Sequence, residues 1–218
     1  MTIFRPNSYF VLFRHAEAIK NLEKMHGGGT QALTELGKAQ IEQSALELTR
    51  WFDANDIGGR RRIFFQTEER SEYTARLLSH HLGIRANLAE GISGVGLGIV
   101  ASLNEDELKK QYPKVATALD NWRAGANGLV DYPKIPGSEP MIDFAARIGA
   151  GLNKIAASSG CPILVGTTSV INMVNHLLEN QGYFIREKYE FVTYQLGGFT
   201  IWNIDQNASP AKIFSNFI

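Results

Sequence analysis

Two arginines and a histidine carry the chemical interest of this chain. Arg14-His15 directly follow the apolar run Tyr9-Phe10-Val11-Leu12-Phe13, with no polar turn between. Arg70 closes the polar segment Gln66-Thr67-Glu68-Glu69 after a second apolar run, Ile63-Phe64-Phe65. Gly166-Thr167-Thr168-Ser169 follow a third, Pro162-Ile163-Leu164-Val165. Runs this short, rich in β-branched and aromatic residues, read as fully buried strands. Ligands of open α/β sheets bind outside the carboxyl ends of such strands, so the three exits are expected to converge. Two arginines at neighbouring exits form a fork-like anion site suited to bidentate recognition of phosphate. A histidine between them can attack a phosphoryl group and carry it covalently, provided that it is neutral. Neighbouring cations lower its ordinary pKa of about 6.5, which keeps the imidazole nucleophilic near neutrality.

The elements that must hold these groups alternate in kind. Thr34 has the character of an N-cap, and Ile41, Ala45, Leu48 and Phe52 follow at helical spacing. Tyr73, Leu77, Leu78 and Leu82 mark one face of a helix that Gly83 ends. Strand, polar loop and helix thus repeat, the pattern of a parallel sheet with right-handed crossovers. Residues 18–33, with Gly27-Gly28-Gly29, read as a loop long enough to line a site. Asn104 caps a helix running to about Tyr112-Pro113, and a second piece ends near Trp122-Arg123. Residues 124–140 form a loop over or beside the site. A helix starts at Ser138 or Glu139 and runs through Phe144, Ile148, Leu152 and Ile155. Another covers Val170 to Leu178. Gly198 to Ile204 is a further strand, and Lys212-Ile213-Phe214 adds an edge strand. The expected fold is α/β, a three-layer α/β/α sandwich with a mostly parallel central sheet. Residues 1–218 are expected to form one domain, with a small helical and loop insertion near 88–140 covering the site.

Composition excludes several classes. Lys plus Arg equals Asp plus Glu at 22 each, so no global field draws the chain to nucleic acid or membrane. Arg60-Arg61-Arg62 directly precede an apolar run and read as the solvated start of a strand. The single Cys161 has no partner for an internal disulfide, which fits a reducing compartment. It is read as a small apolar residue. No transmembrane or signal segment is visible, so a cytoplasmic protein is expected. Gly91, Gly94, Gly96 and Gly98 do not make a dinucleotide fingerprint after a strand. His80 and His81 sit at a helix C-terminus, where they complement the dipole. His176 has no second ligand type at metal spacing, so neither metal nor cofactor is expected.

Four blocks in order resemble the histidine phosphatase superfamily, the phosphoglycerate mutase-like proteins. Arg14-His15-Ala16-Glu17 with Asn21 is similar to the family's Arg-His-Gly-Glu block and its following asparagine. Leu33-Thr34-Glu35-Leu36-Gly37-Lys38-Ala39-Gln40 resembles its Leu-Thr-x-x-Gly-x-x-Gln. Arg70-Ser71-Glu72-Tyr73-Thr74-Ala75 resembles its Arg-Ala-x-x-Thr-Ala. Pro136-Gly137-Ser138-Glu139, followed by Arg147, resembles its Pro-Gly-Gly-Glu segment. The similarity runs from about residue 9 to 204. It implies that His15 is the phosphorylated nucleophile, that Arg14 and Arg70 hold the phosphate, and that Asn21 contacts phosphoryl oxygens at the pocket edge.

Two departures bear on activity. The family carries a second histidine at the third strand exit, and Thr167 stands at that position here. A threonine donates one hydrogen bond but supplies no positive charge, so Thr167 and Thr168 are expected to bind phosphate only through hydroxyls. Losing one preorganised donor costs about a hundred- to a thousand-fold in rate. The family's general acid is a glutamate before a Gly-rich turn. Glu90 fills that role if four residues are inserted in the loop; an ungapped match puts Gly94 there and leaves Glu90 a surface carboxylate. Ala16 in place of the usual glycine adds only a methyl group. The expected function is a phosphomonoester phosphatase of reduced or altered activity, acting on a phosphorylated small molecule through phospho-His15. The alternatives are a catalytically impaired binder of a phosphorylated ligand or partner, and a phosphoglycerate mutase-type phosphotransferase. His26 of the glycine loop is a further candidate to make up for the missing histidine.

Overall fold

The computed structural model describes residues 8–57, 61–123, 134–158, 160–204 and 210–216. The expected loop over residues 124–133 lies outside the described residues. Among the described residues, six strands form one sheet: β1 (Ser8–Arg14), β2 (Arg61–Phe65), β3 (Ala86–Leu88), β4 (Cys161–Gly166), β5 (Phe199–Ile204) and β6 (Ala211–Ser215). Their order is β3-β2-β4-β1-β5-β6. The first four run parallel, and β5 and β6 add an antiparallel edge.

Strand side chains alternate between faces, so each strand divides its apolar residues between two cores. Phe10 and Leu12 of β1 join Leu164 and Trp202 in one core. There they pack against α6 (Met141–Ser158) and α7 (Thr168–Glu179) through Phe144, Ile148, Val170 and Val174. Val11 and Phe13 join Ile63, Phe65, Ile163 and Val165 on the opposite face. That core closes on α2 (Glu35–Ala54) and α3 (Glu69–Leu82) through Ile41, Leu48, Phe52 and Leu78. The result is the three-layer α/β/α sandwich with a mostly parallel sheet that the alternating pattern predicts. A third, smaller core gathers Val100, Leu108, Leu119 and Ile135 around α4 (Glu105–Gln111) and α5 (Pro113–Arg123).

Several boundaries follow their caps. Thr34 Oγ1 accepts from the Gly37 amide at 2.9 Å, and Asn104 and Glu107 make a reciprocal capping box. Gly83 ends α3 in the left-handed region, at φ 64°. Two helices start elsewhere than their apolar spacing suggests. α6 begins only at Met141, because Glu139 is drawn aside to Arg147 and the Pro140 carbonyl takes the first helical bonds. α7 begins at Thr168, two residues earlier than Val170, with Thr167 as its N-cap residue. β3 was hidden by its three-residue length and polar Asn87.

Candidate active site

The three strand exits meet. Arg14 is in register with Gly166, and Phe65 with Val165, so β1, β2 and β4 end at one level. Past the ladder, the His15 amide donates to the Gly166 carbonyl at 2.9 Å and the Gln66 amide to Val165 at 3.3 Å. Sheet hydrogen bonding thus continues into His15 and Gln66 and fixes their backbone. A cavity of about 600 Å³ opens above them, lined by Arg14, His15, Glu68, Arg70, Thr167 and Thr168. Met25, Leu97, Trp122 and Phe191 give its mouth an apolar side, with the last two rings 4.4 Å apart.

His15 is only 3% exposed. Its Nδ1 lies 2.8 Å from the Ala16 carbonyl, and its Nε2 lies 3.1 Å from Arg70 Nε. A guanidinium nitrogen only donates, so Nε2 carries the lone pair and Nδ1 the proton. Burial, then Arg70, and more weakly Arg14 and Lys20, hold the imidazole well below its ordinary 6.5; the Ala16 carbonyl opposes them. The ring is therefore neutral, with Nε2 as its basic atom.

Arg70 lies in the first turn of α3, and two contacts aim that turn at His15. Thr74 Oγ1 donates to the Arg70 carbonyl at 2.8 Å and accepts from the Ala16 amide at 3.1 Å. The Arg70 guanidinium also donates from Nη1 to Gln31 Oε1 at 2.6 Å, which ties the glycine loop to the site. Arg14 Nε is buried without a hydrogen-bond partner, a donor left over for an anion. Burial, with Arg70 behind it, lowers the Arg14 pKa to about 10.

The loop after β1 is clamped from α2. The Glu17 carboxylate accepts from Thr34 Oγ1 at 2.7 Å, and its amide donates to Gln40 Oε1 at 3.0 Å. A Cβ on Gly37 would lie 2.1 Å from the Glu17 carbonyl, so only glycine lets helix and loop approach this closely. The Leu-Thr-x-x-Gly-x-x-Gln block is thus a brace for His15. Glu139 and Arg147 brace the opposite wall. Their ion pair is bidentate, at 3.0 and 2.7 Å. Arg147 also donates to the carbonyls of Ser93 and Gly94, and Glu139 accepts from the Gly96 amide.

Arg14, His15, Arg70, Thr167 and Thr168 line one cavity; Glu90 and Asn21 are not among its lining residues. The Glu90 side chain is 79% exposed and faces Lys154 at 3.7 Å. The Ala89 amide is bound to the Phe65 carbonyl, and Gly91 turns the chain immediately afterwards. The expectation of Glu90 as an acid in the pocket is corrected accordingly: it is a surface carboxylate. Asn21 Oδ1 accepts from the Ala18 amide at 3.0 Å and closes the single turn α1 (Ile19–Leu22). Its oxygen serves that turn. Thr167 Oγ1 lies 3.3 Å from Gln66 Oε1 and 3.2 Å from Ser169 Oγ, a neutral polar wall. His26 lines the cavity. His176 is buried and accepts from the Ile185 amide at 3.0 Å, as a core histidine does. Burial pushes the Cys161 thiol up to about 12.

Three groups escaped the sequence reading. Lys20 is 5% exposed, and burial, then Arg70, lowers its pKa to about 8. Its charge reaches His15. Gln66 is fully buried and holds the Thr167 amide at 2.8 Å. Glu68 reaches across to the Gly94 amide, with Oε1 at 2.7 Å. A polar residue at a buried strand exit was the available signal for Gln66; Lys20 gave none, since it lies in a single helical turn.

The fold and this cavity define a class: α/β/α proteins that set two arginines around a neutral imidazole at the ends of parallel strands. The chain belongs to the histidine phosphatase superfamily (branch 1), whose sequence model matches residues 10–203. No curated protein matches it by sequence. Among solved structures it is similar to the alpha-ribazole phosphatase from Shigella flexneri, at 16% identity and a TM-score of 0.73, covering 95% of this chain and 96% of that one. A mycobacterial glucosyl-3-phosphoglycerate phosphatase has 18% identity and a TM-score of 0.72, with 96% and 97% covered. A phosphoserine phosphatase from Entamoeba histolytica, in complex with 3-phosphoglyceric acid, has 17% identity and a TM-score of 0.66, with 95% and 96% covered. At such identities the likeness establishes the fold. No helix of the described residues is long and apolar enough to cross a membrane.

Proposed function

We propose that this chain is a phosphomonoester phosphatase that works through a phosphohistidine at His15, with Arg14 and Arg70 holding the transferred group. The carrying observation is the state of His15: Nδ1–H is anchored on a carbonyl and Nε2 is left basic beside Arg70. An incoming phosphoryl group takes over the Arg70 N–H bonds now spent on His15 Nε2 and Gln31. That exchange frees the lone pair and brings phosphorus to it. Phosphoryl transfer asks mainly for such positioning and for charge on the equatorial oxygens. Arg14, Arg70 and the field of Lys20 supply the charge, and Thr167 and Thr168 contribute hydroxyls only. The rate is accordingly reduced relative to a site with a cation on that wall.

The test is hydrolysis of a generic aryl phosphate by the wild type and by His15→Ala. Turnover confined to the wild type is expected; equal rates contradict the reading. One observation favours a second reading, a binder of phosphorylated ligands: the Thr167 hydroxyl is engaged by neutral partners and offers no charge. That reading requires phosphate-ligand binding that Arg70→Ala removes, together with no turnover by the wild type.

A further inference from the structure

Transfer of a phosphoryl group from an ester to His15 leaves an alkoxide that needs a proton. Among the described residues lining the cavity, the carboxylates are Glu68 and Glu69. Glu69 opens α3 and is exposed. Glu68 is half-buried and crosses to the opposite wall, where Oε1 accepts from the Gly94 amide at 2.7 Å. A Cβ built on Gly94 would lie 2.7 Å from this same Oε1, with Thr167 Oγ1 at 3.6 Å and Ser169 Oγ at 3.8 Å. Gly94 does not adopt a left-handed backbone, so its conformation alone does not demand glycine. What fills the position is the Glu68 carboxylate. The wall that lacks a side chain at 94 is thus furnished from residue 68.

We infer that Glu68 is the proton donor to the leaving oxygen and the base for the water that clears phospho-His15, an inference resting on the phosphatase reading above. In the first step the His15 Nε2–P bond forms, the P–O(ester) bond breaks, and the Glu68 proton moves to the departing oxygen. In the second step the Glu68 carboxylate takes a proton from water, whose oxygen attacks phosphorus as the N–P bond breaks. Phosphate leaves, His15 is neutral again, and Glu68 is reprotonated. Arg70 from α3 and Lys20 from α1 face Glu68.

The experiment compares Glu68→Gln with the wild type on two monoesters, an aryl phosphate with an acidic phenol and a simple alkyl phosphate. Only the alkyl leaving group depends strongly on a donated proton. Phosphorylation of His15 by the alkyl ester is expected to slow about 10²- to 10⁴-fold and by the aryl ester far less, while clearance of phospho-His15 slows alike for both. Phospho-His15 should still form from the aryl ester. Moving the carboxylate back, in Glu68→Ala/Gly94→Glu, should recover at least about ten-fold of the alkyl activity that Glu68→Ala loses, within the range a positioned acid provides. Equal slowing of His15 phosphorylation by both esters, or no slowing, in a variant that still phosphorylates His15 would overturn the role of Glu68 alone. So would a double variant that phosphorylates His15 and recovers nothing. If the wild type neither turns over the esters nor forms phospho-His15, the phosphatase reading fails and this one with it.

Discussion

The two sides of the cavity are built on different terms. The side at the ends of β1 and β2 is charged and pre-set: His15 is hydrogen-bonded at both ring nitrogens, Arg70 is steered by Thr74, and Arg14 holds an unused donor. The side at the end of β4 is neutral: Thr167 rests on Gln66 and Ser169, and position 94 has no side chain. On the proposed mechanism, binding and attack depend on the first side, whereas leaving-group departure depends on the second. A chain can therefore retain phosphate capture while its turnover is retuned on the facing wall.

Breaking the charged side should have the largest effects. His15→Ala removes the nucleophile, and hydrolysis should fall to background, a loss of about 10⁴-fold or more. Arg70→Ala removes both the transition-state charge and the anchor on His15. Its kcat should drop about 10²- to 10³-fold, with phosphate affinity lost in calorimetry. Thr167→His sharpens the contrast from the other direction. Restoring a cation to the neutral wall should raise kcat about 10- to 1,000-fold, and no gain would mean that this wall works by another group.

The bracing contacts come next. Arg147→Ala leaves Glu139 half-buried and unpaired and frees the carbonyls of Ser93 and Gly94. A loss of about 2–3 kcal/mol in denaturant unfolding is expected, with a smaller fall in kcat from the loosened Gly94 wall.

The smallest effects are in pH dependence. The His15 pKa lies below its ordinary 6.5 in the fold, so the unfolded chain takes up the proton first on acidification. The stability from this group is fully present above 6.5 and declines as pH falls below it. The kcat/KM profile should show no imidazole limb at 6.5. Lys20, with its pKa lowered to about 8, is charged below that pH and neutral above it. Its loss of charge should lower kcat/KM about two- to five-fold, the size of a partly screened charge. Lys20→Met should remove that alkaline limb.

The fold was legible wherever one local rule dominated. Buried runs gave β1, β2 and β4, Thr34 gave the start of α2, and the blocks around Arg14-His15 and Arg70 gave the charged side. What escaped depends on side-chain direction. Glu68 and Glu69 are adjacent acids in the sequence, yet only Glu68 turns across the cavity, because the Gly94 amide receives it. Glu90 and Gly94 competed for one role on the count of loop residues, and Glu90 proves to be an exposed carboxylate facing Lys154. Lys20 reads as a surface lysine until the glycine loop folds over it: a Cβ on Gly29 would lie 3.0 Å from Lys20 Cβ. Asn21 matches its block in position but spends its oxygen on the Ala18 amide.

The central claim is that His15 Nε2 accepts the phosphoryl group. Rapid-quench mixing of the wild type with an aryl phosphate, followed by peptide mass spectrometry at neutral to alkaline pH, tests it directly. A transient phosphoryl group on His15, formed no more slowly than product and absent in His15→Ala, is the expected result. Steady hydrolysis with no phosphoryl group on His15, or with His15→Ala as active as the wild type, would contradict it.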